Sequence, residues 1–394
     1  MTRPARVVVA GAGLAGLRVV EELRARGYEG ELTLIGAESR EPYDRPPLSK
    51  KVLAGELDDT SLRPDLEALG VRLRLGERAV GLADHLLRTD AAEYAFDALV
   101  LATGADPVRL PGDGPQHLLR TADDALALRE LLQPRTRVVI VGAGWIGAEV
   151  ATAAAGRGCT VTVLEAADTP LASAVGAEIG RATVPWYEEA GVRLLLGQGV
   201  AAIEPGGVAL AGGGLLPADV VLTAVGVRPA VSWLADSAVR LDNGAAADAR
   251  LRTTAPGVFA VGDCASFWSG RYQRQLRFEH WDIALHAPEA AAANILGAST
   301  AYDPVPYFWS EQFGRMVQYA GWHGAAGQPL WRGDPAAGTW AACWLQGDRL
   351  VAALTVGRPR DLVQSRRLIE AGGRVDPVRL ADPAVPVRDS AVTG

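Results

Sequence analysis

The sequence predicts an α/β fold in which two Rossmann-like units precede a C-terminal α+β domain. A buried apolar strand, a Gly-x-Gly-x-x-Gly turn and an amphipathic helix follow one another over residues 6–24, and the same pattern returns over residues 137–155. From residue 304 onward the pattern changes to aromatic residues among short, strand-like runs. One glycine-rich turn is weak evidence, but two in the same strand–turn–helix context carry the prediction.

The first turn closes the strand at residues 6–10 and comprises Gly11, Gly13, Leu14, Ala15 and Gly16. Its glycines allow a tight turn and a close approach of the backbone to a pyrophosphate, while the following helix offers free N–H groups to the anion. The first acid after the second strand is Glu38, two positions later than a ribose-binding acid is expected. Glu38 either accepts hydrogen bonds from an adenosine ribose or is an ordinary loop acid.

A proline-rich loop at residues 41–51 presents two basic side chains, Arg45 and Lys50. Three prolines stiffen this loop, so its charged groups have little conformational entropy left to lose on binding. Arg45 could therefore bind a pyrophosphate through two parallel hydrogen bonds, and Lys50 could place a positive charge near a reducible ring. The alternative is a surface loop whose basic side chains are solvated.

The second turn closes the strand at residues 137–141 and comprises Gly142, Gly144, Trp145, Ile146 and Gly147. Glu165 ends the next strand at the position expected of a ribose-binding acid. A carboxylate there accepts hydrogen bonds from both ribose hydroxyls and repels a 2′-phosphate. Because residues 166–173 contain no arginine or lysine to bind that phosphate, the second dinucleotide is expected to be NAD(H) and not NADP(H).

Two further strands end in small-residue turns, one at Ala102, Thr103 and Gly104 and the other at Gly226. A third such strand ends at Asp263, and a helix is predicted directly after it. Asp263 can accept a hydrogen bond from a flavin ribityl hydroxyl, or it can simply cap that helix, and the two roles are compatible in geometry. The two glycine turns predict two bound dinucleotides, of which FAD and a nicotinamide are the natural pair.

These patterns divide the chain into three predicted domains. An FAD-binding domain is expected over residues 1–108 and 236–304, because the strand that ends in Gly262-Asp263 is expected to return to the first unit. An NAD-binding domain is expected over residues 109–235. The C-terminal α+β domain, residues 305–394, is expected to pack a helix at 360–371 on an antiparallel sheet. Its proline-containing tail is expected to be irregular.

The composition argues against several other classes of protein. The net charge of −7 gives no reason to expect nucleic acid, and no apolar run reaches the roughly 20 residues that a membrane helix needs. The three separated cysteines, Cys159, Cys264 and Cys343, make no disulfide framework, zinc motif or Cys-x-x-Cys pair, and the histidines show no metal spacing. No metal and a reducing cytoplasm are therefore expected.

The most specific motif is the segment Arg45-Pro-Pro-Leu-Ser-Lys50. With this motif, both glycine turns and the Gly-Asp strand, the chain resembles the FAD-dependent NADH:ferredoxin reductases of the putidaredoxin reductase type. These reductases have a glutathione-reductase-type fold and serve bacterial cytochrome P-450 and ring-hydroxylating (Rieske) dioxygenase systems. The resemblance implies hydride transfer from NADH to FAD, followed by transfer of single electrons to a [2Fe–2S] or similar ferredoxin.

The resemblance also implies roles for individual residues. Lys50 would lie beside the isoalloxazine ring, and Glu149 would help to place the nicotinamide and pair with Lys50. The other FAD contacts that it implies are Ala15 with its neighbouring glycines, Ala37, Arg45, Val80, Arg120, Asp263, Trp281 and Trp309.

Three alternatives share the same fold. A flavin NADH oxidase, peroxidase or disulfide reductase needs a redox cysteine near the flavin, and residues 36–56, where it is usually found, contain no cysteine. A rubredoxin reductase would differ only in its electron acceptor. A non-enzymatic flavoprotein that responds to NADH is the remaining alternative, and no targeting or basic DNA-binding segment favours it.

Overall fold

The computed structural model describes residues 3–324 and 326–392. The chain divides into two units. The first unit comprises Met1–Asp44, Thr60–Asp106 and Arg228–Pro306, and the second comprises Arg45–Asp59, Pro107–Val227 and Tyr307–Gly394.

The strands, in chain order, are β1 Arg6–Ala10, β2 Glu31–Gly36, β3 Arg72–Leu75, β4 Ala79–Ala83, β5 Leu86–Thr89, β6 Glu93–Ala95, β7 Ala98–Leu101, β8 Ala105–Pro107, β9 Arg137–Val141, β10 Thr160–Leu164, β11 Arg193–Leu195, β12 Val200–Glu204, β13 Gly207–Leu210, β14 Leu215–Pro217, β15 Val220–Thr223, β16 Val227–Pro229, β17 Ala245–Ala247, β18 Val258–Ala260, β19 Ala265–Ser269, β20 Arg274–Leu276, β21 Tyr307–Gln312, β22 Arg315–Gly321, β23 Leu330–Arg332, β24 Trp340–Gln346 and β25 Arg349–Val356. The helices are α1 Leu14–Ala25, α2 Ala122–Leu131, α3 Trp145–Gly156, α4 Ala172–Val175, α5 Ala177–Glu189, α6 Trp281–Ile295, α7 Pro359–Glu370 and α8 Pro377–Ala381.

The first unit is built on a parallel sheet with the strand order β18–β7–β1–β2–β3. Val7, Val8 and Val9 of β1 are all buried, which explains why this strand reads as a continuous apolar run and not as an alternating one. Helix α1 follows β1 through the first glycine turn and contacts α6. Parallel pairing of β1 with β2 and β7 brings three carboxyl strand ends to that turn, which is where open α/β sheets bind their ligands.

The chain beyond Asp263 corrects one prediction. The sequence predicts a helix directly after this residue, but Gly262–Cys264 forms a single 3-10 turn and β19 follows at once. Phe267 of β19 is buried, and the strand pairs with both β17 and β20. Aromatic residues such as Phe267 favour strands when they pack against neighbouring strands, and those neighbours are known only from the tertiary structure. Asp263 therefore caps no α-helix, and α6 begins at Trp281.

The second unit repeats the parallel arrangement and adds an antiparallel sheet. Its parallel sheet has the order β11–β10–β9–β15, and helix α3 follows β9 through the second glycine turn. Its antiparallel sheet has the order β21–β22–β25–β24–β23 and contacts α7. One face of this sheet, with Trp340 and Leu354, joins a core that includes Ile179 and Trp186 of α5. The prediction of two Rossmann-like units and a C-terminal α+β region is thus confirmed.

The C-terminal tail holds more regular structure than the sequence predicts. Helix α8 is capped by the Asp376 carboxylate, and a 3-10 turn follows at Val387–Ser390. The buried Arg332 side chain donates hydrogen bonds to the carbonyl oxygens of Leu380 (3.0 Å) and Val385 (2.6 Å). Because the arginine and the tail are far apart in sequence, local patterns could not reveal this attachment.

Within the described ranges, no helix is long and apolar enough to cross a membrane. The same residues contain no group of three or more His, Cys, Asp or Glu side chains that could hold a metal ion.

Candidate functional site

The predicted site residues divide between the two units. The first unit holds the predicted FAD residues Gly11, Gly13, Leu14, Ala15, Gly16, Ala37, Glu38, Val80, Ala102, Thr103, Gly104, Asp263 and Trp281. The second unit holds the predicted FAD residues Arg45, Lys50, Arg120 and Trp309, and the predicted NAD residues Gly142, Gly144, Trp145, Ile146, Gly147, Glu149, Glu165 and Gly226.

The three glycines of the first turn have separate physical roles. Gly11 has a φ of +121°, and a Cβ atom there would lie 2.0 Å from the Ala102 carbonyl oxygen. A Cβ at Gly16 would lie 1.9 Å from the Gly11 carbonyl oxygen, so this glycine permits close packing within the turn. A Cβ at Gly13 would meet no protein atom within 4 Å. Gly13 is also the N-cap of α1 and has no side-chain cap, so the helix start is open to a ligand's pyrophosphate.

The predicted ribose-binding acid of the first unit has a tyrosine partner that the sequence analysis did not single out. The Tyr43 hydroxyl donates a 2.5 Å hydrogen bond to Oε2 of Glu38. The Glu38 carbonyl oxygen also accepts the N–H of Gly76, which fixes the backbone at this position. The displaced acid is therefore a positioned carboxylate two residues beyond the end of β2. A Tyr in a proline-stiffened loop five residues away was the available signal.

The Gly-Asp turn lies against the first glycine turn. A Cβ at Gly262 would be 3.1 Å from the Ala15 Cβ atom, so the turn that carries Asp263 is adjacent to the start of α1. Arg277 donates a 3.2 Å hydrogen bond to the Asp263 carbonyl oxygen. Trp281 is also fixed, because its indole N–H donates to Oδ1 of Asp44 at 2.7 Å. The fold thus brings Asp263 to the predicted pyrophosphate site.

The second glycine turn repeats the first in its backbone. Gly142 has a φ of +104°, and a Cβ at this residue would lie 2.4 Å from the Ala224 carbonyl oxygen, whereas Gly144 again faces open space. The Glu165 carboxylate accepts the N–H of Ala143 at 2.8 Å and the N–H of Ala167 at 2.9 Å. The acid that the sequence predicts for the NAD ribose is therefore held at the turn itself.

A buried carboxylate in the second unit gathers three hydrogen-bond donors. Glu149 on α3 is 4% exposed, and its Oε2 accepts from Nζ of Lys50 at 2.9 Å. Ser49 Oγ donates to the same oxygen, and Ser310 Oγ donates to Oε1 at 2.6 Å. Ser49 and Lys50 come from a π-helical turn, Leu48–Val52, within the loop that the sequence describes as proline-rich. The structure thus brings the predicted pair together and adds two serines that the sequence analysis missed.

Two further predicted FAD residues of the second unit are neighbours. Arg45 donates a 2.6 Å hydrogen bond to the Arg120 carbonyl oxygen. Trp309 lies on β21 with its ring stacked on Tyr307 at a centroid distance of 6.1 Å. On the same strand, Phe308 contacts Trp145 of the second turn edge-on at 4.6 Å. The aromatic side chains of β21 therefore pack against one another and against Trp145.

The cysteines have no features of a redox centre. Cys159, Cys264 and Cys343 are free thiols, and the latter two are buried. Burial raises the pKa of the Cys264 thiol and raises that of Cys343 to about 12. A thiol kept protonated and away from solvent is a poor nucleophile, which disfavours the disulfide reductase alternative.

Comparison with known proteins identifies the family of the chain. The pyridine nucleotide-disulphide oxidoreductase family matches residues 5–287, and the reductase C-terminal family matches residues 307–391. The chain is 39% identical to the anthranilate 1,2-dioxygenase system ferredoxin–NAD(+) reductase component of Burkholderia cepacia, over 96% of this chain and 97% of that one. It is 33% identical to the putidaredoxin reductase of Pseudomonas putida, over 97% of this chain and 96% of that one.

Among solved structures, the covalent putidaredoxin reductase–putidaredoxin complex matches with a TM-score of 0.94 and 31% identity, over 98% of this chain and 97% of that one. These matches extend along both units and include the C-terminal sheet. The chain belongs to the pyridine nucleotide-disulphide oxidoreductase family, and within that family to the ferredoxin–NAD(+) reductases.

Proposed function

We propose that this chain is the NADH-dependent, FAD-containing reductase of an oxygenase system. It transfers electrons singly to a [2Fe–2S] or similar ferredoxin that serves a cytochrome P-450 or a ring-hydroxylating dioxygenase. The observation that carries the proposal is the pair of glycine turns, each with an open second glycine and its own positioned carboxylate. The full-length relatives named above, which are ferredoxin reductases, support the choice of acceptor.

The first unit fits FAD. The open position at Gly13 and the uncapped start of α1 suit a pyrophosphate, Glu38 with Tyr43 suits an adenosine ribose, and Asp263 suits a ribityl hydroxyl. When bound, FAD supplies the ability to accept two electrons as a hydride and to release them one at a time. On the family resemblance, we also assign Ala37, Val80, Arg45, Arg120, Trp281, Trp309 and the turn Ala102–Gly104 to FAD.

The second unit fits NADH. The Glu165 carboxylate is held at the turn by two backbone N–H groups, so its charge is fixed where an adenosine ribose would lie. A 2′-phosphate brought to this carboxylate would be repelled, which favours NADH over NADPH. Gly144 leaves the start of α3 open to the pyrophosphate, as Gly13 does in the first unit.

The remaining task of the protein is alignment of the nicotinamide. We assign this task to Glu149, whose carboxylate is buried and held by Lys50 at 2.9 Å. We also propose that Lys50 lies beside the flavin and supplies a positive charge there. Correct orientation of two reactants contributes several kcal/mol to catalysis, so no protein acid, nucleophile or metal is required.

The domain assignment and the location belong to the same proposal. We assign residues 1–108 and 236–304 to FAD binding, residues 109–235 to NAD binding and residues 305–394 to a C-terminal domain. The free cysteines among the described residues are consistent with a reducing cytoplasm, which we propose as the location.

An anaerobic titration of the flavin-loaded protein tests the proposal. NADH should bleach the flavin absorbance stoichiometrically, whereas NADPH should do so only at much higher concentration. In a steady-state assay, reduction of cytochrome c by NADH should then require added ferredoxin. Rapid reduction of oxygen or peroxide without ferredoxin would instead establish the oxidase or peroxidase alternative, and a preference for rubredoxin would change the acceptor.

A further inference from the structure

We infer that Ser310, on the first strand of the C-terminal sheet, is a positioning residue for Glu149. Through this serine, the C-terminal sheet would take part in placing the nicotinamide. The inference rests on the proposed function, in which Glu149 aligns the nicotinamide. It adds a role for a region of the chain that contains neither glycine turn.

The Glu149 carboxylate is held from two sides. Its Oε2 atom accepts from Lys50 and Ser49 of the π-helical turn, and its Oε1 atom accepts from Ser310 of β21. The terminal torsion of a glutamate is broad, so donors on one oxygen alone would leave the plane of the carboxylate poorly fixed. Ser310 supplies the donor on the second oxygen and thereby fixes that plane.

The direction of the hydrogen bonds follows from their chemistry. Nε2 of Gln312 donates to Oγ of Ser310 at 3.1 Å, and an amide nitrogen can only donate. The single hydroxyl proton of Ser310 is therefore directed to Glu149. Both Ser310 and Gln312 are 1% exposed, so these groups are shielded from bulk solvent. The hydrogen bonds thus run from Gln312 to Ser310 and from Ser310 to the Glu149 carboxylate, which acts only as an acceptor.

The contact between β21 and α3 does not depend on the Ser310 hydroxyl. The N–H of Phe313 donates to Oγ1 of Thr152 on α3 at 2.9 Å. At the other end, Phe308 contacts Trp145 at the start of the same helix. Because contacts on both sides of Ser310 hold the strand, removal of its hydroxyl should free the carboxylate without displacing the backbone.

The test compares Ser310→Ala with wild type in single-turnover reduction of the flavin-loaded protein by NADH. The limiting rate of flavin reduction should fall about tenfold, because misalignment affects the hydride-transfer step. The apparent Kd for NADH should change less than twofold, since the ribose and pyrophosphate sites are untouched. Ser310→Thr, which restores a hydroxyl, should return the rate to within twofold of wild type.

Ser365→Ala is the matched control. Ser365 lies on α7, is also 1% exposed, and its hydroxyl has no hydrogen-bond partner among residues 3–324 and 326–392. This control should leave the limiting rate unchanged. If Ser310→Ala does not fold, Ser310→Cys, which is nearly isosteric and a weak donor, takes its place with the same expectation.

Glu149→Gln separates the inference from the proposed function. A lower rate for Glu149→Gln with a wild-type rate for Ser310→Ala would overturn the role of Ser310 and leave the role of Glu149 intact. A wild-type rate for Glu149→Gln would remove the role of Glu149 and the inference with it. An equal loss for Ser310→Ala and Ser310→Thr would also overturn the inference, because the hydroxyl would then be irrelevant.

Discussion

The two glycine-rich turns share a backbone but differ in where they hold an acid. In both turns the N–H of the first glycine donates at 2.7 Å to a carbonyl oxygen near the end of the neighbouring strand, from Gly11 to Ile35 and from Gly142 to Leu164. The residue after Leu164 is Glu165, whereas the residue after Ile35 is Gly36. The two strands are thus in the same register, and only one carries a carboxylate at that position.

The equivalent position of the first unit has no room for a side chain. A Cβ at Gly36 would lie 2.7 Å from the Cβ of Ala12, so no larger side chain fits there without rearrangement. The first unit instead holds its acid two residues later, at Glu38, with Tyr43 as its donor. In the second turn, Glu165 itself bonds the N–H of Ala143. The same turn is therefore accompanied by a carboxylate on a following loop in the first unit, Glu38, and by a carboxylate bonded to the turn itself in the second unit, Glu165.

The largest effects are expected at the open second glycines. Gly13→Val should yield folded protein with little or no bound FAD, because its side chain would fill the space beside the start of α1. Gly144→Val should retain FAD and weaken NADH binding about tenfold or more. The ratio of flavin to protein absorbance and an anaerobic NADH titration measure the two effects.

Gly156→Ala is the control for this pair, since a Cβ at that residue of α3 also meets no atom within 4 Å. Flavin loss in Gly144→Val with retention in Gly13→Val would reverse the assignment of the two dinucleotides.

The next effect concerns the two acids. Glu165→Gln should lower kcat/KM for NADH about tenfold, because hydrogen bonds to charged groups contribute about 1.5–3 kcal/mol, and it should improve the relative use of NADPH. Glu38→Gln should weaken FAD binding and leave the NADH to NADPH ratio unchanged. Steady-state kinetics with both nucleotides and saturating ferredoxin provide the measurement, and a changed ratio in Glu38→Gln would contradict the comparison.

A smaller effect is expected for Tyr43, which donates to the acid of the first unit and has no counterpart at Glu165 among the described residues. Tyr43→Phe should raise the Kd for FAD about fivefold, which corresponds to the loss of one hydrogen bond of about 1 kcal/mol. Tyr28→Phe in the same unit removes a hydroxyl that donates to the Glu31 carbonyl oxygen, and it should leave the FAD Kd unchanged. Equal effects of the two substitutions would mean that Tyr43 acts on the fold and not on Glu38.

The smallest effect concerns an ion pair that is found in both units, formed by the arginine that begins β1 or β9. Arg6 pairs with Asp97 at 3.2 Å, and Arg137 bonds Asp219 through its side chain and its backbone N–H. The hydrogen bonds from the arginine side chain and backbone lower the pKa of Asp97, and lower that of Asp219 to about 2. All four side chains are exposed, so each pair contributes little to stability.

For a lowered carboxyl pKa, the stabilisation is present above the ordinary value near 3.8 and is lost as the pH falls through the value in the folded protein. Thermal unfolding should therefore show a slightly lower Tm for Asp219→Asn than for wild type at pH 7, and this difference should close between about pH 4 and pH 2. Asp97→Asn should show the smaller difference. A gap that persists at pH 2 would assign the effect to packing.

The sequence predicted local features well. Each glycine turn, its incoming strand and its outgoing helix lie within about 20 consecutive residues, and α1 and α3 begin inside the predicted turns. Glu165 was found in the same way, because the distance from a glycine turn to the end of the next strand is set by one helix and one connection. The position of Glu38 is equally clear from the sequence, but its hydrogen bond to Tyr43 is visible only in the structure, and its ribose role stays a prediction.

The sequence by itself determined the fold class and the two dinucleotide turns and predicted the preference for NADH, because each depends on neighbouring residues and on helix or strand periodicity. Only the tertiary structure decided that Ser49 and Ser310 also donate to Glu149, since they reach it from segments 100 and 161 residues away. It likewise decided that a strand follows Asp263 and that Arg332 holds the C-terminal tail. Such contacts are selected by topology and burial, and no local pattern encodes them.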